Sequence, residues 1–272
     1  MAAIKSCRES YEEFIPRLNN YSENGKELNR LTYLPYEAKL EESKRVIKEV
    51  LDAHTKPVIS CSFGKDSIML LHLIHQFDNT VPAVFNDTGI EFKETYQYKE
   101  QLKKDWNLNV IELKPEKTFW QIVDEYGYPK QSRNSKTGDK REPKCCKILK
   151  RDPMLKFIRE YKPDLDFVGL TSGEGRSRRM AFIRWGSATY YSKSEGLDKC
   201  NPAIWWFPNE VFEYFKRENI PLNPAYEKYK INRVGCMPCT GHIGWEKQIA
   251  NISPRLYSKI QHAKGQLLIE DL

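Results

Sequence analysis

What this sequence lacks narrows it first. No apolar run approaches the ~20 residues that a helix needs to cross a bilayer, so no membrane-spanning segment and no membrane partner are expected. Residues 1–7, Met-Ala-Ala-Ile-Lys-Ser-Cys, have no signal-peptide apolar core, which sets the expected location as the cytoplasm. There is no internal repeat and no low-complexity segment. Cysteine is sparse, seven residues, and in a reducing compartment seven cysteines do not make a disulfide framework. The Gly-x-x-x-x-Gly-Lys-Ser/Thr spacing of the common triphosphate loop is missing. Gly64-Lys65 is followed by Asp66, and Ile59 stands where the first glycine belongs. Neither sign of charge dominates: 44 Lys and Arg face 37 Asp and Glu, a formal net charge of +7. That mild excess suits a nucleotide or nucleic acid, although surface lysines alone produce it.

What is present is a folded chain of 272 residues, 40% hydrophobic and 12% aromatic, long enough for one large α/β domain or a domain with an appendage. Residues 35–54 space their apolar side chains as an amphipathic helix does. Strands are expected at 58–60, 82–86, 110–113 and 167–170, alternating with helices at 67–76, 92–105, 118–126 and 146–161. Such alternation predicts an α/β fold, a parallel twisted sheet with helices on both faces. Residues 127–144 and 184–204 break the pattern, and from 208 on helices and turns are expected, with Pro221, Pro224, Pro238 and Pro254 as breakers. The expected division is a helical segment at 1–54, a nucleotide-binding α/β domain at 55–183, and a helical and irregular extension at 184–272.

Ligands of parallel sheets bind beyond the carboxyl ends of the strands. Residues 61–67, Cys-Ser-Phe-Gly-Lys-Asp-Ser, lie at such an end. A strand, a loop of small residues and a helix start present several backbone N–H groups to an anion. Lys65 adds a full charge, the hydroxyls of Ser60, Ser62 and Ser67 add donors, and Asp66 can cap the helix or hold Mg2+. The plainer reading is a strand-to-helix turn with Ser62 as the N-cap. A second loop, Asp87-Thr88-Gly89, follows the next strand; Gly89 permits a sharp turn, and Asp87 suits a ribose hydroxyl or Mg2+. A third, residues 169–179, carries Arg176, Arg178 and Arg179, whose forks suit phosphate or sulfate oxygens. Four cysteines form two close pairs, Cys145-Cys146 and Cys236-Met237-Pro238-Cys239, a pattern that points to metal or redox chemistry. Four thiolates satisfy tetrahedral zinc or a cubane iron–sulfur cluster, though adjacent cysteines are awkward for structural zinc. Lysines beside Cys145-Cys146 are expected to lower the thiol pKa values. His242 is more readily structural than a ligand, and Trp205-Trp206-Phe207 reads as core. Basic residues between 130 and 151 suit a nucleic acid backbone or a solvated loop equally.

The loop at 61–67 resembles the Ser-Gly-Gly-x-Asp-Ser loop of the N-type ATP pyrophosphatases, with Phe63 in place of the first glycine. Together with residues 85–95, similar to an Asp-Thr-Gly-x-x-Phe-x-Glu-Thr segment, it resembles the branch holding the phosphoadenosine phosphosulfate (PAPS) reductases and the ATP pyrophosphatases of DNA phosphorothioation. The resemblance implies the adenine nucleotide alpha hydrolase fold, with ATP and Mg2+ as ligands. It implies catalytic roles for Lys65, Asp66, Ser67 and Arg176. Nucleotide contacts are implied for Ser60, Ser62, Phe63, Gly64, Asp87, Thr88, Gly89, Arg178 and Arg179. In this branch a Cys-Cys pair with a distant Cys-x-x-Cys holds a 4Fe–4S cluster, which implies Cys145, Cys146, Cys236 and Cys239 as ligands, with zinc as the alternative. The reductases carry a nucleophilic cysteine in a Glu-Cys-Gly segment near the C-terminus. No cysteine follows Cys239 here, and Lys65-Asp66-Ser67 is intact. The expectation is therefore an ATP pyrophosphatase that adenylates an acceptor for sulfur incorporation. DNA ranks ahead of tRNA as acceptor, a cysteine desulfurase supplies the sulfur, and further modification-complex subunits take part. A sulfonucleotide reductase of the PAPS or adenylyl-sulfate type, served by a thioredoxin-like donor, is the alternative.

Overall fold

The computed structural model describes residues 21–129, 143–174, 176–241 and 244–265. Two helices come first, α1 (Tyr21–Thr32) and α2 (Tyr36–Ala53); the first lies in the segment expected to be helical, but only the second was expected as a separate element. Along α2, Lys39, Leu40, Ser43, Ile47 and Val50 are buried, the three- and four-residue spacing of one face. Then follow β1 (Pro57–Ser60), α3 (Lys65–His75), β2 (Ala83–Asn86), α4 (Lys93–Asp105), β3 (Val110–Leu113) and α5 (Phe119–Tyr126). Each agrees with its expected element to within two residues. The expected helix at 146–161 is three pieces: α6 (Lys144–Cys146), a π-helical turn (Lys147–Arg151) and α7 (Asp152–Tyr161).

Beyond it lie β4 (Leu165–Val168), a 3-10 turn (Ser172–Glu174) and α8 (Arg176–Trp185). The stretch expected to be irregular holds a hairpin, β5 (Thr189–Ser192) and β6 (Leu197–Cys200), turning through Gly196 at φ +75°. Four helices complete the described chain: α9 (Pro208–Arg217), α10 (Ala225–Tyr229), α11 (Trp245–Ile252) and α12 (Pro254–Ala263).

The sheet has six strands in the order β3-β2-β1-β4-β6-β5. β1 pairs in parallel with β2 and β4, β4 pairs in parallel with β6, and β5 is antiparallel at the edge. Val58, Ile59, Ala83, Val84, Phe85 and Phe167 are all buried, the near-continuous apolar runs that a sheet covered on both faces requires. α3 is buried on almost every side, from Ile68 to Ile74. The strand order reverses direction between β1 and β4, and this switch point is where ligands of open parallel sheets bind.

The chain forms two compact units. One comprises the described residues of Met1–Phe85, Glu100–Ile111 and Tyr161–Asn223; the other comprises those of Asn86–Lys99, Glu112–Glu160 and Pro224–Leu272. In the first, Trp205 and Trp206 are buried and donate their indole N–H groups to Ser43 Oγ at 3.2 and 2.9 Å, so this aromatic run is core. Lys39 is buried beside them, its ammonium on both oxygens of Glu210 at 2.6 and 2.7 Å. In the second unit, Phe119, Ile122, Val123 and Leu149 form one small core, with Cys145 packed against it. Trp245, Ile249 and Ile260 form another.

Candidate functional site

The loop after β1 is built in the first unit. Cys61 continues the ladder by donating its N–H to the Val84 carbonyl at 2.9 Å, and its side chain is buried as packing. Phe63 takes a left-handed conformation, φ +55°, with its ring fully buried edge-on to Phe85 at 5.4 Å. Gly64 is extended and caps α3, the role the plainer turn reading gives to Ser62. The first-turn N–H groups of a helix have no partner within it, so α3 opens with donors and the positive end of its dipole. Ser67 Oγ donates to the Gly64 carbonyl at 3.0 Å and lies 3.4 Å from Ser62 Oγ. Lys65 is buried, its ammonium on both carboxylate oxygens of its neighbour Asp66 at 2.8 and 2.7 Å. In this arrangement a cation sits at the helix start, held by a carboxylate; an incoming anion would compete with Asp66 for the ammonium, and Mg2+ would compete with Lys65 for the carboxylate.

Other expected contacts are committed within the fold. Ser60 donates its N–H and hydroxyl to Asp166 at 3.1 and 3.0 Å. Asp166 is fully buried; burial raises its pKa, opposed by the Lys199 ammonium at 3.2 Å and by Ser60. On the other side of the switch point, Gly169 lies against the start of α3. A Cβ there would sit 2.8 Å from the Asp66 carbonyl oxygen and 2.9 Å from Ser67 Cα, so only glycine fits. The side chain of Asn201 donates to the Leu170 carbonyl at 2.8 Å and accepts from the Leu170 N–H at 3.2 Å. Arg176 starts α8. Arg179 donates to Asn29 of α1, and Arg178 is partly buried on α8. The expected basic loop is thus helical from Arg176.

The second unit holds the thiols and the Asp87-Thr88-Gly89 loop. Asp87 Oδ1 accepts from Tyr96 Oη at 2.7 Å and from the Gly89 N–H at 3.0 Å, and Gly89 turns at φ +73°. Thr88 is buried and donates to Glu91 Oε1 at 2.9 Å. Cys236 donates to both of them, at 3.5 Å to Thr88 Oγ1 and 3.6 Å to Glu91 Oε1. The backbones are joined as well: Glu91 and Cys236 form an antiparallel bridge, and Met237 N–H reaches the Ile90 carbonyl at 2.9 Å. Thr88, expected at the nucleotide, therefore has its hydroxyl against the Cys236 thiol.

Cys145 shares its proton with Cys146, and that hydrogen bond, then burial and the Cys236 sulfur, push its pKa up. Cys236 is pushed up to about 12, by burial first, while the Lys150 ammonium pulls the other way. For Cys145 and Cys236 the expectation that nearby lysines lower the pKa is thereby corrected: the Cys146 hydrogen bond and burial raise the first, and burial outweighs the Lys150 ammonium at the second. Burial works against the charge on Lys150 too, but Cys236, Glu91 and Cys146 outweigh it and its pKa rises. Glu91 is buried, its pKa raised by that burial, and its Oε2 has no hydrogen-bond partner. A small cavity lined by Lys150, Arg233, Cys236 and Cys239 lies here. Among the described residues no three His, Cys, Asp or Glu side chains are grouped to hold a metal ion. His242 and the basic residues Lys130, Arg133, Lys136, Lys140 and Arg141 lie outside the described residues.

Asp166, Asn201, Asn223 and Glu91 were not singled out from sequence, since each acts on a partner far along the chain or reads as an ordinary surface residue. Lys150 was noted only as one of several nearby lysines.

Residues 56–242 match the phosphoadenosine phosphosulfate reductase domain family. An uncharacterised protein of Methanocaldococcus jannaschii is 34% identical over 218 residues, 78% of this chain; the chain spans 42% of that relative's length. Adenosine 5'-phosphosulfate reductase 1 of Bacillus subtilis is 30% identical over 186 residues, 67% of this chain and 72% of that protein. Among solved structures, the PAPS reductase of Candida auris in its phosphate complex superposes with a TM-score of 0.57, at 15% identity, over 78% of this chain and 95% of that one. The FMN adenylyltransferase of Candida glabrata gives 0.55 at 14% identity, over 80% and 71%. These two likenesses establish the fold, a mostly parallel six-stranded sheet flanked by helices with further helices at the C-terminal side. Among the described residues no helix is long and apolar enough to cross a membrane.

Proposed function

Because the chain belongs to the phosphoadenosine phosphosulfate reductase family, we propose that it acts on a sulfonucleotide, an adenosine 5'-phosphate joined to sulfate as a mixed anhydride. The observation that carries this reading is the extent of the family match. It takes in the loop at 61–67 and all four paired cysteines, and a relative 30% identical is an adenosine 5'-phosphosulfate reductase. The reaction is a two-electron reduction. A thiol attacks the sulfate sulfur, the bond from sulfur to the bridging oxygen breaks, and AMP leaves. A second thiol attacks the resulting sulfur–sulfur bond, releasing sulfite and leaving a disulfide. Both thiols belong to a thioredoxin-like donor. The chain's own part is to bind and orient the anhydride. The amides at the start of α3 and Lys65 take the anion, Ser67 braces the loop through the Gly64 carbonyl, and Gly169 lets the loop after β4 close on Asp66. Cys145, Cys146, Cys236 and Cys239 would hold a 4Fe–4S cluster, or zinc, as a charged centre in the second unit.

One observation favours a second reading. Lys65-Asp66-Ser67 is complete, and Lys65 is buried at the head of α3 against Asp66. That arrangement suits cleavage of ATP between its α- and β-phosphates, with Mg2+ and Lys65 stabilising the departing pyrophosphate. An acceptor oxygen of DNA or a tRNA base would be adenylated, and sulfur from a cysteine desulfurase would replace it. Product analysis separates the two. Sulfite and AMP from adenosine 5'-phosphosulfate with reduced thioredoxin, and no pyrophosphate from ATP and Mg2+, support reduction. Pyrophosphate without sulfite overturns it in favour of the second reading.

A further inference from the structure

The loop at 61–67 owes its shape to a residue 160 positions away in the chain. Phe63 is left-handed at φ +55°, a conformation in which the Cβ of an L-residue crowds the carbonyl oxygen that follows. A bulky aromatic stays there only if its surroundings hold it. Two contacts do so. Its ring is fully buried edge-on to Phe85, and its carbonyl accepts a hydrogen bond from Asn223 Nδ2 at 3.2 Å. Asn223 is 1% exposed, so neither its amide nor that carbonyl exchanges the bond for bulk water. The next peptide group is planar and trans, so its C=O and N–H point in opposite directions. With the Phe63 carbonyl turned onto Asn223, the Gly64 N–H is turned the opposite way, away from Asn223. Gly64 is the N-cap of α3, so this N–H precedes the N–H groups of the first helical turn, which have no partner within the helix.

We propose that Asn223 is a positioning residue for anion binding: through the Phe63 carbonyl it aims the Gly64 N–H at the phosphate or sulfate group of the bound nucleotide. Asn223 does not touch the ligand itself. It follows the β-hairpin and α9, outside the three loops that the motifs mark, and it is the last residue of the first unit before the chain passes at Pro224 into the second. The inference rests on the reading of this loop as the anion-binding element, and it adds the residue that keeps the loop in its binding form.

The test is titration calorimetry on the full chain with adenosine 5'-phosphosulfate, ATP, inorganic pyrophosphate and adenosine, for wild type and Asn223→Asp. The substitution keeps the shape but replaces the donor with an acceptor that repels the Phe63 carbonyl. Loss of one hydrogen bond to a charged group weakens binding by roughly ten- to a hundredfold. That loss is expected for every anion that wild type binds, with adenosine binding unchanged. In 15N-labelled protein the Gly64 amide resonance is expected to shift in Asn223→Asp before any ligand is added. Should Asn223→Asp fail to fold, Asn223→Ser, which leaves room for a water on the carbonyl, carries the same comparison. Equal weakening toward adenosine and the anions overturns the proposal, because that is what a merely structural role produces. So does wild-type affinity in the folded variant. If wild type binds pyrophosphate but neither nucleotide, the sulfonucleotide and ATP readings fail while the pyrophosphate titration still decides the role of Asn223. If wild type binds none of the three anions, the proposal falls with them.

Discussion

Replacing Gly169 with alanine adds one methyl group at the point where the chain leaves β4 and meets the start of α3. Three backbone atoms would lie within 3.0 Å of that methyl: the Asp66 carbonyl oxygen at 2.8 Å, its carbon at 2.9 Å and Ser67 Cα at 2.9 Å. None can swing aside as a side chain would, so the first turn of α3 must move. Overpacking of this kind costs about 1–3 kcal/mol. The φ of Gly169 lies outside the left-handed range, so alanine also removes chain entropy from the unfolded state and recovers up to about 1 kcal/mol. The net loss is about 1–2 kcal/mol, which lowers Tm by roughly 2–8 °C for a chain of this size. Gly173→Ala is the control. Its methyl would meet the Pro208 ring at 3.4 Å, an ordinary contact, and Tm is expected to hold or rise by a few degrees. Differential scanning calorimetry gives the stability, and pyrophosphate binding gives the state of the loop. Because the displaced residues are Asp66 and Ser67, Gly169→Ala should lose anion affinity more than its stability alone explains. A Gly169→Ala protein with wild-type Tm and wild-type pyrophosphate affinity would refute the close packing of these two loops.

Three further outcomes follow from other parts of the molecule. His72 and His75 are both held below the usual value of 6.5, chiefly by burial; the unfolded chain therefore binds more protons below pH 6.5, and stability should fall as the pH drops through that value. Urea midpoints between pH 7.5 and 5.5 measure the slope, and His72→Gln should flatten it. Lys39→Ala strands the Glu210 carboxylate without its cation and should cost about 3 kcal/mol, whereas Lys39→Met with Glu210→Gln should recover part of that loss; denaturant titration of the single and double variants checks it. Anaerobically purified protein should carry iron and absorb near ~400 nm, with both signals lost in Cys236→Ser; zinc in place of iron would overturn the cluster assignment, and metal analysis decides between them.

The strands β1 and β2 were legible because each centres on a buried apolar run bounded by turn residues, the form that burial on both faces imposes; β3, only partly buried, was legible from Val110, Ile111 and Leu113 around Glu112. The β5–β6 hairpin was not. Its strands are four residues each and carry Asp198 and Lys199, so neither hydrophobicity nor alternation marks them. α1 was hidden by Asn24, Gly25 and Asn29, with Leu28 and Leu31 as its buried apolar anchors. α8 begins Arg-Ser-Arg-Arg, which reads as a solvated loop. The anion loop was legible in its local chemistry, a glycine, a lysine and hydroxyls between a strand and a helix. Its supports were not, because Asp166 and Asn223 act on Ser60 and Phe63 across more than a hundred residues. The four cysteines stood out by spacing, but the buried acid at Cys236 did not, since Glu91 has no local pattern that separates it from a surface glutamate.

The π-helical turn at Lys147–Arg151 sets a phase. An α-helix advances about 100° per residue, so a continuous helix from 144 to 161 would tie the direction of the cysteines rigidly to the apolar stripe of α7. A π turn takes in one residue more than an α turn does. It lets Met154, Phe157 and Ile158 face the core while the end bearing Cys145 and Cys146 keeps a rotational register of its own. Winding the same residues as a regular α-helix would leave every cysteine in place in the sequence and every apolar side chain available. It would still swing the cysteine pair by about 100° relative to α7. What the extra residue encodes is an angle, the one quantity about this thiol pair that no count of cysteines or of the spacing between them contains.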